Sequence, residues 1–377
     1  MRIAQVAPLH EAVPPKLYGG TERVVSYLTE ELVRQGHDVT LFASGDSATS
    51  ARLVPICRKA LRLDPDCRDR LPHQVLALEA VLREWHGFDV VHFHEDCLHL
   101  PWLRRAPRPG LITMHGRLDL PDLAPLYRGY DDIPLVAISD HQRQPPAWAN
   151  WRATIHHGLP EGLYRFHPEP GRHLAFVGRI CPEERVDRAI AIATRAGVPL
   201  KIAAKVDPVD AAYFEREIRP LLDHPLVDFV GEIGEGDKDA LLGGALALVF
   251  PIDWPEPFGL VVIEANACGT PVIAFARGAM PELIADGVNG FLVEDVGQAA
   301  AAVERVKGLE RARCRRAFEA RFSVARMARD YVAVYAELAR AVPAGARRMA
   351  AGWRRGDGRT DRLRAIRPGA AAPAPDR

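Results

Sequence analysis

The chain has 377 residues, 48% hydrophobic and 26% charged, which is the composition of a soluble globular protein and more length than one domain usually takes, so two domains are expected, each able to bury a core. The formal charge is zero, but nine Arg against three Asp between Pro343 and Arg377 put +6 on that tail and −6 on residues 1–342, a body with no general affinity for nucleic acid. Six cysteines without a CxxC pair point to reduced thiols, the first residues are too polar for a signal-peptide core, and the longest apolar run, near Ala240 to Ile252, holds two glycines and a proline, so the sequence reads as a cytoplasmic protein without a membrane span.

Strand-like runs alternate with helical ones along most of the chain. Ile3 to Ala7 reads as a strand, Thr21 to Gln35 as a helix, Asp38 to Ala43 as a strand, His73 to Trp85 as a helix, then Val90 to His94, Leu111 to His115 and Leu135 to Ser139 as strands. A polar stretch rich in His and Pro, Asn150 to Arg172, interrupts this order, with Ala153-Thr154-Ile155 as a last strand. The alternation then restarts, with strands at His173 to Gly178, Leu200 to Ala204, Val227 to Gly231, Ala247 to Pro251, Val272 to Phe275 and Gly290 to Val293. Helices fall near Arg185 to Ala196, Ala211 to Leu222, Leu260 to Cys268, Arg311 to Arg321 and Ser323 to Ala341. Such alternation predicts an α/β protein with two doubly wound parallel-sheet domains facing a cleft, and ligands bind such sheets at the carboxyl ends of their strands. The expected divisions are 1–165, 166–322, a closing helix at 323–342 and a tail at 343–377. That tail lacks large apolar side chains and is expected to be disordered; contact of its arginines with anionic lipid is the less favoured reading.

The chemistry-bearing residues cluster at these strand ends. Trp254-Pro255-Glu256-Pro257-Phe258-Gly259-Leu260 leads from a buried strand into a helix, with Glu256 before the helix and Glu264 about two turns inside it. Free amides around Phe258, Gly259 and Leu260 can hold phosphate or sugar oxygens, and a carboxylate accepts hydrogen bonds from vicinal hydroxyls. An acidic helix start that only complements the helix dipole has the same sequence. Gly19-Gly20-Thr21 lets a backbone approach a phosphate and offers Thr21 as a cap, although Gly-Gly turns are common without ligands. His92 and His94 share one strand face with Cys97 and His99 nearby, and they read as cleft lining rather than a closed metal set. His115 ends the next strand and can bond a hydroxyl, or be satisfied locally. Gly178-Arg179 and Lys205 end strands in the second half, where a guanidinium can grip a diphosphate. Asp64-Pro65-Asp66 has the spacing of a metal-diphosphate motif but no hydrophobic strand before it, and is set aside.

Five ordered motifs resemble family 4 of the retaining glycosyltransferases, the GT-B fold: Gly19-Gly20-Thr21-Glu22, Asp89-Val90-Val91-His92-Phe93-His94, His115-Gly116, Phe176-Val177-Gly178-Arg179, and Glu256 with Glu264. The resemblance covers roughly residues 1 to 340. It implies a nucleoside-diphosphate sugar donor, an unknown acceptor (glycan, lipid or small molecule) on the side of the first domain, no metal and no cofactor. It further implies that Glu256 meets the sugar hydroxyls, Phe258 to Leu260 hold sugar and phosphate, Glu264 takes the ribose, and Arg179 neutralises the diphosphate. On the opposite side Gly19 and Gly20 lie beside the phosphates, His115 contacts the transferred sugar, and Ile233 touches the base through its backbone. Where relatives read Pro-Glu-Lys-Gly this chain has Pro182-Glu183-Glu184-Arg185, so a phosphate-binding lysine is missing: either Arg185 or Lys205 substitutes, or donor binding is weakened, and Lys205 is the expected substitute because a strand-end residue reaches the cleft more directly. A nucleotide-sugar epimerase or phosphorylase of similar fold, and a catalytically weak nucleotide-sugar-binding protein, are the alternatives.

Overall fold

The computed structural model describes residues 1–341 except 96, 107 and 145–148; the arginine-rich tail expected to be disordered lies outside the described residues. The first half runs β1 (Arg2–Val6), α1 (Gly20–Arg34), β2 (Asp38–Ala43), β3 (Arg52–Pro55), α2 (Leu71–Glu84), β4 (Val90–Phe93), α3 (Leu100–Leu103), β5 (Gly110–Thr113), α4 (Leu123–Gly129), β6 (Leu135–Ala137) and β7 (Trp151–Thr154). Its strands form one parallel sheet in the order β3-β2-β1-β4-β5-β6-β7. The second half runs β8 (His173–Arg179), α5 (Val186–Ala196), β9 (Leu200–Lys205), α6 (Ala211–Tyr213), β10 (Val227–Gly231), α7 (Glu235–Gly243), β11 (Ala245–Phe250), α8 (Leu260–Ala267), β12 (Val272–Phe275), α9 (Met280–Leu283), β13 (Gly290–Val293), α10 (Val296–Arg305) and α11 (Arg311–Arg321). Its strands form a second parallel sheet, β10-β9-β8-β11-β12-β13.

Each sheet begins in its middle, winds outward to one edge and then returns to build the other. The order therefore reverses between β1 and β4, and again between β8 and β11. Helices leave these neighbouring strands in opposite directions, so the carboxyl ends open a crevice there. Central strands such as β11, Ala-Leu-Ala-Leu-Val-Phe, are buried at every residue because helices cover both faces of a parallel sheet.

The final helix, α12 (Val324–Ala341), crosses back to the first sheet. Two backbone bonds hold the crossing: the Leu159 amide donates to the Phe322 carbonyl (2.8 Å) and the Val324 amide to the Leu159 carbonyl (2.9 Å). Met327, Ala328, Tyr331, Val334, Tyr335 and Leu338 recur at three- and four-residue spacing and bury one stripe of α12 against Ile3, Leu28 and Val136. At about 2 kcal/mol for each large side chain buried, that stripe is enough to bind α12 to the first sheet although it follows the second in sequence.

The structure departs from the sequence expectations in several places. Strand β3 and helices α3, α4, α7, α9 and α10 were not anticipated; α7, Glu-Gly-Asp-Lys-Asp-Ala-Leu-Leu-Gly, has two glycines and no apolar stripe in its first half. Ala211 to Leu222 is not one helix: α6 gives way to a π turn at Phe214–Ile218 and a 3-10 turn at Arg219–Leu221, where Pro220 supplies no amide to continue the ladder. Thr21 does not cap α1, whose N-cap is Gly19 with no side-chain bond. No helix of the described residues is long and apolar enough to cross a membrane.

Candidate functional site

The two crevices face each other across a single cavity of about 560 Å³. From the first sheet it takes Gly19 and Gly20, between β1 and α1, and His115 just beyond β5. From the second come Arg179 at the end of β8, Lys205 at the end of β9, Ile233 beyond β10, and the β11–α8 segment with Glu256, Phe258, Gly259, Leu260 and Glu264. The eleven residues to which the resemblance gives a role thus line one space. Gly19 adopts φ +146°, and a side chain there would meet Pro15 at 2.8 Å, so this turn admits no larger residue without moving.

Arg185 is absent from the lining. Its guanidinium is held outside by Asp187 (2.9 and 2.7 Å) and Asp253 (3.0 Å). It also takes φ +56°, ψ +49°, a left-handed conformation that glycine tolerates better than arginine. Lys205 has the access that Arg185 lacks: its Nζ lies 3.0 Å from Asp207 and 4.0 Å above the Tyr18 ring, at the cavity wall.

In the missing lysine's place stands a buried carboxylate. Glu184 accepts from the Arg179 amide (2.9 Å) and from its Nε (3.2 Å), so an internal anion already occupies this guanidinium. Gly178 permits this approach, since a Cβ at that position would lie 1.9 Å from Glu184 Oε2. Burial raises the Glu184 pKa above the usual carboxylate value, against the pull of Arg179. Glu256 is pushed up to about 7, first by burial and then by Glu184, while the amides of Phe258 and Gly259 and the charge of Arg179 pull it down. The Phe258 amide donates to Glu256 Oε1 at 3.3 Å, so that amide is engaged in this state rather than free as expected. Glu264 sits one turn into α8 rather than two, 2% exposed, and accepts from Lys238 Nζ at 2.7 Å.

On the first-sheet side, His92 and His94 do not line the cavity as expected. Both are buried behind it, and His94 reaches it through one partner: its Nδ1 is 2.9 Å from His115 Nε2. His115 stacks on His157, whose ring meets Phe258 edge to face, and burial lowers its pKa to about 3, so it is neutral at pH 7. Asp64 and Asp66 pair with Arg58 and Lys59 on the loop after β3, outside the cavity. Among the described residues no three His, Cys, Asp or Glu side chains form a group that could hold a metal ion.

Sequence reasoning missed Glu184 as a wall residue, Lys238 on the unforeseen α7, and the Tyr18 and Glu22 side chains. Glu184 was visible as a departure from a pattern, yet only the fold turns it inward. Glu22, raised to about 7 chiefly by burial, accepts from the Glu11 amide at 3.3 Å and braces the loop that carries Gly19. Lys238 carried no signal beyond being a lone cation among acids.

Comparison with known proteins agrees with this architecture. The family described as Glycosyl transferases group 1 matches residues 165–323, and Glycosyltransferase Family 4 matches residues 18–159. Relatives include a D-inositol 3-phosphate glycosyltransferase of Mycolicibacterium smegmatis, 28% identical over 354 residues and covering 79% of this chain and 81% of that one. A phosphatidyl-myo-inositol mannosyltransferase of the same organism is 28% identical over 343 residues, covering 80% and 84%. Among solved structures, HepE of Anabaena in complex with UDP-glucose superposes with a TM-score of 0.66 at 18% identity, covering 90% of this chain and all of that one. Two doubly wound domains around such a cavity are the GT-B fold. The chain belongs to the group 1, family 4-like glycosyltransferases and is an enzyme of sugar transfer.

Proposed function

We propose that the protein is a metal-independent, retaining glycosyltransferase that moves a sugar from a nucleoside diphosphate to an acceptor hydroxyl. The observation that carries this reading is the convergence of all eleven candidate residues on one cavity between facing strand ends. Glu264, paired with Lys238, is the ribose site, and the backbone at Ile233 meets the base. Arg179 and Lys205 take the diphosphate, whose charge grows as the bond to the sugar breaks, so they bind the transition state more tightly than the ground state. Because two cations and the amides at Gly19 and Gly20 meet that charge, a divalent ion has no necessary part.

The sugar lies between Glu256 and His115. As its anomeric carbon parts from the diphosphate oxygen, the acceptor oxygen bonds to the same face, and the acceptor proton passes to a phosphate oxygen. Glu256 then orients the sugar and need not form a covalent bond. A fold in which another protein holds UDP-glucose is in keeping with such a donor. The acceptor enters from the first-sheet side; a second cavity of about 510 Å³, walled mainly by the ends of β9 and β10 with His10, Arg62 and Arg70 from the first half, adjoins the donor space through His10, Lys205, Asp207 and Glu232.

One observation favours a second reading, a nucleotide-sugar-binding protein with weak catalysis: Glu184 competes for Arg179. Melting temperatures of the purified protein against a panel of nucleoside diphosphates and their sugars, followed by donor turnover in EDTA, test both. A ligand bound only by the folded state raises the melting temperature with concentration. Binding with EDTA-resistant turnover supports the transferase, binding without turnover the second reading, and no binding by any member refutes both.

A further inference from the structure

A chain of buried polar groups runs from the last helix to the cavity, and its hydrogen bonds can be given a direction. Gln5, in the middle of β1, donates through Nε2 to the Tyr335 hydroxyl of α12 at 3.0 Å. The tyrosine proton is then free to go to His92 Nδ1, 2.7 Å away. With Nδ1 accepting, His92 donates through Nε2 to Thr113 Oγ1 (2.7 Å), which lies 2.8 Å from the Tyr331 hydroxyl. On its other side Gln5 presents Oε1 to His94 Nε2 at 2.7 Å. An amide oxygen only accepts, so that nitrogen carries the proton of a neutral His94. His94 Nδ1 is therefore bare, and its neighbour at 2.9 Å, His115 Nε2, must be the donor. Burial holds these imidazoles neutral: the pKa of His92 and of His94 lies well below the ordinary value, chiefly through desolvation.

We propose that Gln5 and His94 are positioning residues, anchored by Tyr335 of α12, which hold His115 as its Nε2–H tautomer so that Nδ1 offers a lone pair to a sugar hydroxyl in the cavity. The proposal rests on the reading of His115 as a sugar contact. It assigns to β1, β4 and α12, none of whose residues in the chain touches the sugar, the task of deciding whether His115 accepts or donates. A hydroxyl that donates to Nδ1 must keep its own lone pairs for other partners, so the tautomer selects how the sugar is held. Turning the Gln5 amide over would reverse every bond in the chain and make Nδ1 a donor.

Nitrogen NMR of the full-length protein labelled with ¹⁵N-histidine, with His115 assigned from a His115→Asn sample, reads the tautomer directly and without any donor. We expect protonated Nε2 and bare Nδ1 between pH 6 and 8; protonated Nδ1, or a mixture, would overturn the proposal even if sugar transfer is established. Conversely, the expected tautomer in a protein that binds no nucleotide sugar would refute the transferase and leave the relay standing. His94→Leu removes the acceptor, and should mix the two tautomers and lower kcat roughly tenfold with little change in donor KM. His94→Asn, whose amide oxygen still accepts from His115 Nε2–H, should restore the single tautomer and most of kcat. Equal losses in both variants with unchanged NMR spectra would refute the positioning role.

Discussion

Replacing Glu184 by glutamine should tighten the binding of a nucleoside diphosphate rather than weaken it. The carboxylate accepts two hydrogen bonds from Arg179, at 2.9 and 3.2 Å, with 12% of its side chain and 30% of that of Arg179 exposed. A diphosphate that takes up Arg179 brings negative charge to roughly 5 Å from Glu184, and two unit charges at that separation repel by about 3 kcal/mol at an effective dielectric constant of about 20. Glutamine keeps an acceptor of the same shape for the Arg179 amide and gives up about 1 kcal/mol of charge-assisted bonding in the free protein. Relief of this repulsion, discounted for screening at a partly exposed site, gives a gain of about 1–3 kcal/mol, or roughly five- to a hundred-and-fiftyfold in Kd. Calorimetric titration with nucleoside diphosphate at pH 8 and pH 5.5 checks this. Because burial raises the Glu184 pKa, a proton should be taken up as the ligand binds, so the wild-type protein gains affinity as pH falls and the gap to Glu184→Gln narrows. Weaker binding by Glu184→Gln, or a gap that does not change with pH, would show that the carboxylate supports the ligand instead of competing with it.

Other residues give independent tests. Lys205→Ala should raise donor KM tenfold or more while Arg185→Ala leaves it within about twofold, since Lys205 lines the cavity and Arg185 is tied to Asp187 and Asp253 outside it; the opposite ranking in steady-state kinetics would transfer the phosphate role to Arg185. Glu256→Gln should lower kcat with the fold intact, and full activity would remove Glu256 from the mechanism. The same variant alters the dependence of stability on pH. A carboxylate raised from 4.5 to about 7 contributes stability that is complete below pH 4.5 and lost as pH rises to about 7. Urea midpoints of wild type should therefore fall across that window relative to Glu256→Gln, and parallel profiles would contradict the raised value. Arg311, 5% exposed, donates to the carbonyls of His167, Ala245 and Gly243 and to Thr270 Oγ1 at 2.6–2.9 Å. Arg311→Ala strands those oxygens and should cost on the order of 3–5 kcal/mol, lowering the melting temperature by roughly 10 °C; a shift below about 2 °C would mean that water replaces the guanidinium.

The sequence alone determined the alternation of buried strands and covering helices, because parallel strands need apolar side chains on both faces and the helices between them need only one. It also pointed to the residues that line the candidate site, since in such sheets ligands bind at strand ends: Gly19 and Gly20, His115, Arg179, Lys205, and Glu256 to Glu264 were each recognisable from a strand followed by a turn. Helix α7 escaped because its glycines and acids leave no apolar period, and with it went Lys238. Strand β3, four residues at a sheet edge with its first and last exposed and its middle two half-buried, was too short to announce itself. What only the tertiary structure decided is which way side chains turn once the ends converge. Glu184 and Arg185 are adjacent, yet one reaches into the cavity onto Arg179 and the other is carried out of it by a left-handed backbone. His92 and His94, at the end of β4, are spaced as a cleft-lining pair would be, but α12 folds back from the far end of the chain onto His92, and both are buried, so that His94 meets the cavity through His115 while His92 bonds Tyr335 and Thr113. Neither outcome has a local signal, because each is set by contact between segments far apart in sequence: Gly178 making room for a carboxylate, and Tyr335 meeting a glutamine 330 residues before it.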